Sequence, residues 1–318
     1  MVEPVRPIAL EDIEEARNRI KGTVLRTLLV RIEAGGRSDV FLKLENLQPT
    51  NAYKIRGATN AVARLSDEER SRGVWTISAG NAGQGVAYAA RAFGASCSVV
   101  AIETAPQTKL DRMRALGAEI VSVSYEQAWK AAEAHQFEGM TGTFVHPFDN
   151  YDFIAGHGTM GIEIVEELPE VRTVMAAIGG GGLITGVGSA IKARKPDAKV
   201  LGAEPETAAP YALSQREGGP RKFEDWQASF VDGAGGKSVI ERMWQRMQAV
   251  VDGSIVVTLD QVRDAMRLIA EKSRRVAEGA GALSLAAALS DPSIEGPIVC
   301  VVSGGNIDLA KFSELVAL

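Results

Sequence analysis

Lys54 stands in the stretch Q-P-T-N-A-Y-K-I-R-G-A, residues 48–58. Pro49-Thr50-Asn51 reads as a turn, and the residues from about Ala52 to Leu65 have helix-forming composition with one apolar face, so the lysine falls in the first turn of a helix. The positive end of the helix dipole opposes an ammonium there, and any burial disfavours it further. Both effects push the amine toward the neutral, nucleophilic form that makes Schiff bases with carbonyl carbons. A lysine taken alone is most often a solvated side chain. Its reading therefore depends on the other motifs.

Ile178-Gly179-Gly180-Gly181-Gly182-Leu183 follows the apolar run V-M-A-A-I and opens a helical pattern. Four glycines let successive backbone N–H groups converge on one anion, and the following helix terminus adds its dipole. A tight turn needs only one or two of them, and the other two cost entropy unless something is bound. The loop lacks the Lys-Ser/Thr of a P-loop and the spacing of a dinucleotide fingerprint. A single phosphate monoester fits it. Ser78-Ala79-Gly80-Asn81 closes another strand-like run; its N–H groups and the Ser78 hydroxyl suit a carboxylate, and the Asn81 amide suits an oxygen. Ser303-Gly304-Gly305-Asn306 ends the last apolar run, where a neutral hydroxyl can bond a ring nitrogen without supplying charge.

These residues need strands and helices to bring them together. Short apolar runs at Val40 to Leu44, Val74 to Ile77, Ser98 to Ile102, Glu119 to Val123, Val174 to Ile178, Val200 to Ala203 and Ile298 to Val302 read as strands. Between them lie helical patterns, including Leu10 to Ile20, Gln84 to Phe93, Lys109 to Leu116, Gly158 to Glu167, Leu183 to Ala193 and Leu259 to Val276. Alternation of this kind predicts an α/β fold with largely parallel sheets, in which ligands bind at the carboxyl ends of the strands. The 33 glycines among 318 residues concentrate at those junctions.

A net charge of −5 with both signs intermingled gives no footprint for nucleic acid or an anionic membrane. No apolar run approaches the ~18 residues of a membrane span, and the start of the chain lacks the apolar segment of a signal peptide. Cys97 and Cys300 sit in strand-like apolar surroundings, as buried free thiols do. The expectation is a cytoplasmic enzyme with a small-molecule substrate.

In this order the motifs resemble those of the fold-type II pyridoxal-phosphate enzymes, and among them the serine/threonine dehydratase (threonine ammonia-lyase) and serine racemase family. L-E-D-I-E-E-A-R-N-R-I-K-G-T-V-L-R-T, Y-K-I-R-G-A, S-A-G-N, P-Q-T-K-L-D-R-M-R-A-L-G-A-E, H-P-F-D with I-A-G-H-G-T, G-G-G-G-L, E-G-A-G-A and S-G-G-N carry the likeness over nearly the whole chain. The resemblance implies a tryptophan synthase β-like fold of two open, twisted, mostly parallel sheets flanked by helices. It implies a large domain of residues 1–70 and 149–318, an inserted smaller one of 71–148, and a homodimer. Pyridoxal 5'-phosphate is the implied cofactor. Lys54 is its Schiff-base lysine and moves the Cα proton; Tyr53 replaces the usual phenylalanine beside the ring. Gly179, Gly180, Gly181, Gly182 and Leu183 hold the phosphate, Asn81 contacts the phenolic oxygen, Glu278 lies near the cofactor, and Ser303 faces the ring nitrogen. Ser78, Ala79, Gly80 and Asn81 bind the substrate carboxylate.

The implied reaction is α,β-elimination from a 3-hydroxy-L-amino acid, giving a 2-oxo acid and ammonia. Departures from the family pattern narrow it. Ala79 replaces the second serine that serves racemases as the opposite-face base, so racemisation is the alternative reading rather than the first. A third, a non-catalytic carrier of the cofactor, is opposed by Lys54 and Ser303. Asn51-Ala52 and Ala82 also depart from the pattern; with Phe148 and Tyr53 nearby, they extend the substrate class from threonine and serine to an aryl-serine such as phenylserine. Of the family's cation ligands Glu204 and the Ala208 carbonyl remain, but Pro210 takes the acidic place, and no metal is expected. His135, His146 and His157 are too dispersed in sequence for a metal cluster. After Asn306 there is no room for a C-terminal regulatory domain, and isoleucine feedback through one is not expected.

Overall fold

The computed structural model describes residues 5–105 and 107–317. Helix α1 (Leu10–Ile20) carries Glu11 and Asp12 in its first turn and Arg17 and Arg19 in its last, matching the helix dipole, and buries Ile13, Ala16 and Ile20. Strands β1 (Leu29–Ala34) and β2 (Arg37–Leu44) form a hairpin, and a 3-10 turn at Glu45–Leu47 leads to α2 (Lys54–Ala63). The chain continues through α3 (Asp67–Ser71), β3 (Val74–Ile77), α4 (Asn81–Ala92), β4 (Cys97–Ile102), α5 (Gln107–Ala115), β5 (Ala118–Val123), α6 (Tyr125–Ala134) and β6 (Thr143–Phe144). It then runs through α7 (Tyr151–Glu167), β7 (Thr173–Ala177), α8 (Gly182–Arg194), β8 (Lys199–Pro205), α9 (Pro210–Glu217) and α10 (Glu241–Gln248). Last come β9 (Gly253–Val257), α11 (Leu259–Ser273), α12 (Gly279–Ser290), β10 (Ile298–Val302) and α13 (Leu309–Val316).

Two sheets result. The first has six strands in the order β1-β2-β10-β7-β8-β9, parallel except for the β1–β2 hairpin; the second has four in the order β5-β4-β3-β6, all parallel. Parallel strands covered on both faces read as unbroken apolar runs, and the I-V-C-V-V of β10 is buried at every position. One face of the six-stranded sheet packs on Ile154, Met160, Ile184 and Val187 of α7 and α8, the other on Met266, Ile269, Leu283 and Leu285 of α11 and α12. Each such side chain contributes ~1.5–3 kcal/mol by leaving water. The four-stranded sheet packs Val99 against Val86 of α4 and Met113 of α5, with Trp75 and Val100 facing Ala128 of α6 on its other side.

Helix α2 is fixed by a buried ion cluster and by two glycines. The Arg56 guanidinium reaches Glu45 Oε2 at 2.8 Å and Glu163 Oε1 at 2.8 Å, and Lys43 meets Glu163 Oε2 at 2.9 Å, all with side chains 7% exposed or less. Desolvating these charges is costly, and paired forks with hydrogen bonds offset it. A Cβ at Gly57 would overlap the Phe153 carbonyl, and one at Gly156 would lie 2.7 Å from the Gly57 Cα. Helices α2 and α7 therefore touch backbone to backbone.

Several boundaries differ from the sequence expectation. Helix α7 begins at Tyr151 rather than Gly158: Asn150 caps it by accepting from Phe153 N at 2.8 Å. Its glycines admit neighbours, Gly161 lying against Val187 and Ala190 of α8. Helix α4 starts at Asn81, helix α2 spans 54–63 rather than 52–65, and α11 stops at Ser273. Strands β1, β6 and β9 are additional, and β6 is only two residues long.

Candidate active site

Lys54 is the first residue of α2, half-buried, and its Nζ donates to the Pro147 carbonyl oxygen at 2.7 Å. Burial pulls its pKa down to about 7, so the amine is close to half neutral near physiological pH. The backbone just before it is laced to the turn after β10. Tyr53 N donates to Ser303 O at 3.0 Å, Gly305 N donates to Asn51 O at 2.9 Å, and Ala52 pairs with Gly304 in an isolated antiparallel bridge. Asn51 takes a left-handed φ of 53° to make this crossing. Lys54 and Ser303, 249 positions apart in sequence, are thus held by one set of backbone bonds.

The Ser303 hydroxyl is buried and donates to Ala280 O at 3.3 Å. Beside it, Gly304 leaves room for the Glu278 carboxylate, which a Cβ would overlap. Burial first, and then the Asp232 charge, push Glu278 up to about 7. Asn81 Nδ2 donates to Glu278 Oε1 at 2.7 Å, and Asn81 Oδ1 accepts from Asn306 Nδ2 at 2.8 Å. Asn306 is held in turn by Thr50 O at 2.8 Å and by Arg112 Nη1 at 2.9 Å. The sequence reading missed Asn306 as the hub of this network, although it closes the S-G-G-N turn. Arg112 lies in the P-Q-T-K-L-D-R stretch that carries the family likeness, but nothing in that stretch announces its bond to Asn306, because α5 is brought here only by the packing of the four-stranded sheet.

The glycine loop joins β7 to α8. Gly181 takes φ 86°, and no side chain caps α8, so its first-turn N–H groups have no side-chain acceptor. Gly180 is exposed, and a Cβ on it would overlap the Phe148 ring; one on Gly182 would lie 3.0 Å from the Phe148 carbonyl oxygen. At least three of the four glycines therefore have a steric reason of their own. That corrects the inference that a run this long requires a ligand, while the first-turn N–H groups of α8 remain without a side-chain cap.

The turn after β3 is tighter than expected: Ser78 Oγ accepts from Gly80 N at 3.1 Å, and Ser78 N donates to Val100 O at 3.1 Å. The first turn of α4, which follows directly, has no side-chain cap. Ala79 is half-buried and packs on the core of the four-stranded sheet. The Tyr53 ring lies edge-on to His157 at 4.6 Å. Phe148 borders two cavities, one of about 230 Å³ shared with Gly179 and Gly180 and one of about 490 Å³ shared with Ile77, Trp129 and Pro147.

The histidines are less dispersed in space than in sequence. His135 and His146 are 4.9 Å apart, while His157 is alone between Tyr53 and Phe153. His146 Nδ1 accepts from Asp149 N at 2.9 Å and burial depresses its pKa to about 3, so the ring is neutral. Glu204 accepts from Tyr211 N and Ala212 N at 2.8 Å each and from Ser254 Oγ at 2.7 Å. It caps α9, whose first residue is Pro210, and burial outweighs those donors to push it up to about 7.

A half-buried lysine whose amine is partly neutral, an uncapped helix terminus behind a glycine loop and a neutral strand-end hydroxyl fit the aldehyde, phosphate and pyridine nitrogen of one cofactor. The family model described as pyridoxal-phosphate dependent enzyme matches residues 20–304. The chain belongs to the pyridoxal-phosphate dependent enzymes. Within this family it is 40% identical over 316 residues to the L-threonine ammonia-lyase of Thermotoga maritima, covering 97% of this chain and 78% of that one. The catabolic L-threonine dehydratase of Staphylococcus aureus is 35% identical over 323 residues, covering 97% and 92%. Among solved structures, maize serine racemase superposes with a TM-score of 0.90 at 33% identity over 97% of each chain. A processed threonine deaminase of Solanum lycopersicum does so at 0.85 and 31%, over 100% of this chain and 98% of that one. The enzyme is thus of fold-type II, in the serine/threonine dehydratase and serine racemase group, and its cofactor is pyridoxal 5'-phosphate. Among the described residues, no helix is long and apolar enough to cross a membrane.

Proposed function

We propose that this enzyme eliminates water from a 3-hydroxy-L-amino acid and releases a 2-oxo acid and ammonia. The observation that carries the reading is the Lys54 amine, depressed toward neutrality by burial and tethered to Pro147 O beside the Ser303 turn. When bound, pyridoxal phosphate draws electron density from the substrate Cα and so acidifies its proton. Lys54 is the base that takes this proton from Cα. The hydroxyl on the adjacent carbon then leaves with a proton as water, and the freed 2-amino-alkenoate tautomerises and hydrolyses to the oxo acid and ammonia. Gly179 to Gly182 and Leu183 hold the phosphate, and Asn81, kept in place by Glu278 and Asn306, faces the phenolic oxygen. Ser303 offers the ring nitrogen a neutral hydroxyl, which withdraws charge less than a carboxylic acid or arginine partner would. The Ser78 turn and the first turn of α4 hold the substrate carboxylate.

The named activities of the relatives support threonine and serine as substrates, and the apolar surroundings of Phe148 support aryl-serines such as phenylserine beside them. The likeness to maize serine racemase supports racemisation as a second reading, but Ala79 has no group to serve as a base. We read residues 71–148, which contain the four-stranded sheet, as the smaller domain, and residues 1–70 with 149–318 as the larger. Two unpaired buried cysteines favour the cytoplasm, and family likeness favours a homodimer. The test is to incubate the holoenzyme with L-threonine, L-serine and L-threo-3-phenylserine and assay both oxo acid and the D-enantiomers. Oxo acid without D-product supports the dehydratase; D-product without oxo acid transfers the assignment to racemisation.

A further inference from the structure

We propose that the 490 Å³ cavity beside Lys54 seats the substituent on the substrate's third carbon, and that Trp129 tunes it for an aromatic ring. This rests on the dehydratase reading and specifies its substrate. The cavity is walled at one end by Ile77, the last residue of β3 before the Ser78 turn, and at another by Pro147, whose carbonyl holds the Lys54 amine. The cavity adjoins the turn and the amine through these two residues rather than through Lys54 or Ser78 themselves, so a substrate held between turn and amine would have this space open beside its third carbon. Trp129 and Phe148 also border the smaller cavity that Gly179 and Gly180 line, which ties the aromatic wall to the phosphate end of the site.

The chemistry of the wall favours an apolar, flat group. Tyr125 and Trp129 are stacked with centroids 6.4 Å apart and planes 12° from parallel, and the Phe148 ring meets His146 edge-on at 4.5 Å. The two stacked rings are 46% and 37% exposed, so a large aromatic surface remains open at this spot. At the edge Arg242 Nε donates to Asp149 Oδ2 at 2.6 Å, His146 Nδ1 is taken by backbone N–H groups, Glu241 accepts from Gln245 Nε2 at 2.8 Å, and the Lys237 ammonium lies 4.8 Å from the Tyr125 ring centre, so the open aromatic face is that of Trp129. The volume lies within the ~300–1,000 Å³ usual for small-molecule pockets, more than the methyl group of threonine fills. A ring laid on Trp129 covers surface that a methyl leaves wet.

The test compares the wild-type holoenzyme with Trp129→Leu and Trp129→Phe. The ratio of kcat/KM for L-threo-3-phenylserine to that for L-threonine should fall about 10-fold or more in the leucine variant and recover in the phenylalanine variant. L-Phenylalanine, which has no hydroxyl to lose, gives a second readout by equilibrium dialysis, and its binding should weaken in parallel. An unchanged ratio and unchanged phenylalanine binding in Trp129→Leu would overturn the assignment. If no substrate yields oxo acid, the dehydratase reading fails, and phenylalanine binding alone still decides the cavity. Should Trp129→Leu not fold, Tyr125→Leu interrogates the same wall with the same two outcomes.

Discussion

Gly180 and the ring of Phe148 occupy adjoining space so closely that a single added Cβ would overlap the ring. The two residues come from different connections, one after β7 and one after β6, and their contact joins the glycine loop to the segment whose Pro147 carbonyl holds Lys54. The glycine loop and the lysine's acceptor are thus linked in space through one aromatic side chain.

Gly180→Ala should disturb both. The methyl forces Phe148 away or shifts the loop, and overpacking of this kind costs ~1–3 kcal/mol, equivalent to roughly 5- to 150-fold in affinity if it falls wholly on the cofactor-bound form. Titration of apoprotein with pyridoxal phosphate, followed by the absorbance of the bound cofactor, measures the effect. Affinity equal to wild type would mean the contact yields without consequence.

The lysine's depressed pKa gives a pH profile. Below about 7 the amine is protonated and cannot attack an aldehyde; above it the neutral form dominates. Cofactor uptake by the apoprotein should rise about tenfold per pH unit on the acid side and level off above pH ~7. An uptake rate still climbing through pH 9 would show an ordinary, solvated lysine.

Much of this site is legible from local sequence, because a strand end, a glycine turn and a helix start are written in neighbouring residues. Lys54, Gly179 to Gly182 and Ser303 are of that kind. What was not legible depends on approach between distant segments. Nothing near Asn306 announces that it bridges Asn81, Thr50 and Arg112, and nothing near Trp129 announces that it shares a cavity wall with Phe148. The same holds for α7, whose glycines do not announce that α2 and α8 pack against them. The two-residue β6 is too short to carry a periodic signal at all.

The buried cluster under α2 also belongs to this class, since Arg56 meets Glu45 and Glu163 from opposite sides. Arg56→Met should leave both carboxylates and Lys43 imperfectly paired and lower stability by about 3–5 kcal/mol. Thermal denaturation of the apoprotein would record it, and a Glu45→Gln change in the same background should recover part of the loss. A melting temperature unchanged by Arg56→Met would show that the cluster does not anchor the helix.

In the proposed reaction the Lys54 amine moves the Cα proton. Lys54→Ala, loaded with pyridoxal phosphate, should bind L-threonine but form oxo acid ~10²–10⁴-fold more slowly than wild type, the range expected for loss of a positioned base. Added methylamine should restore part of that rate. Oxo acid formation at the wild-type rate by Lys54→Ala would contradict the account.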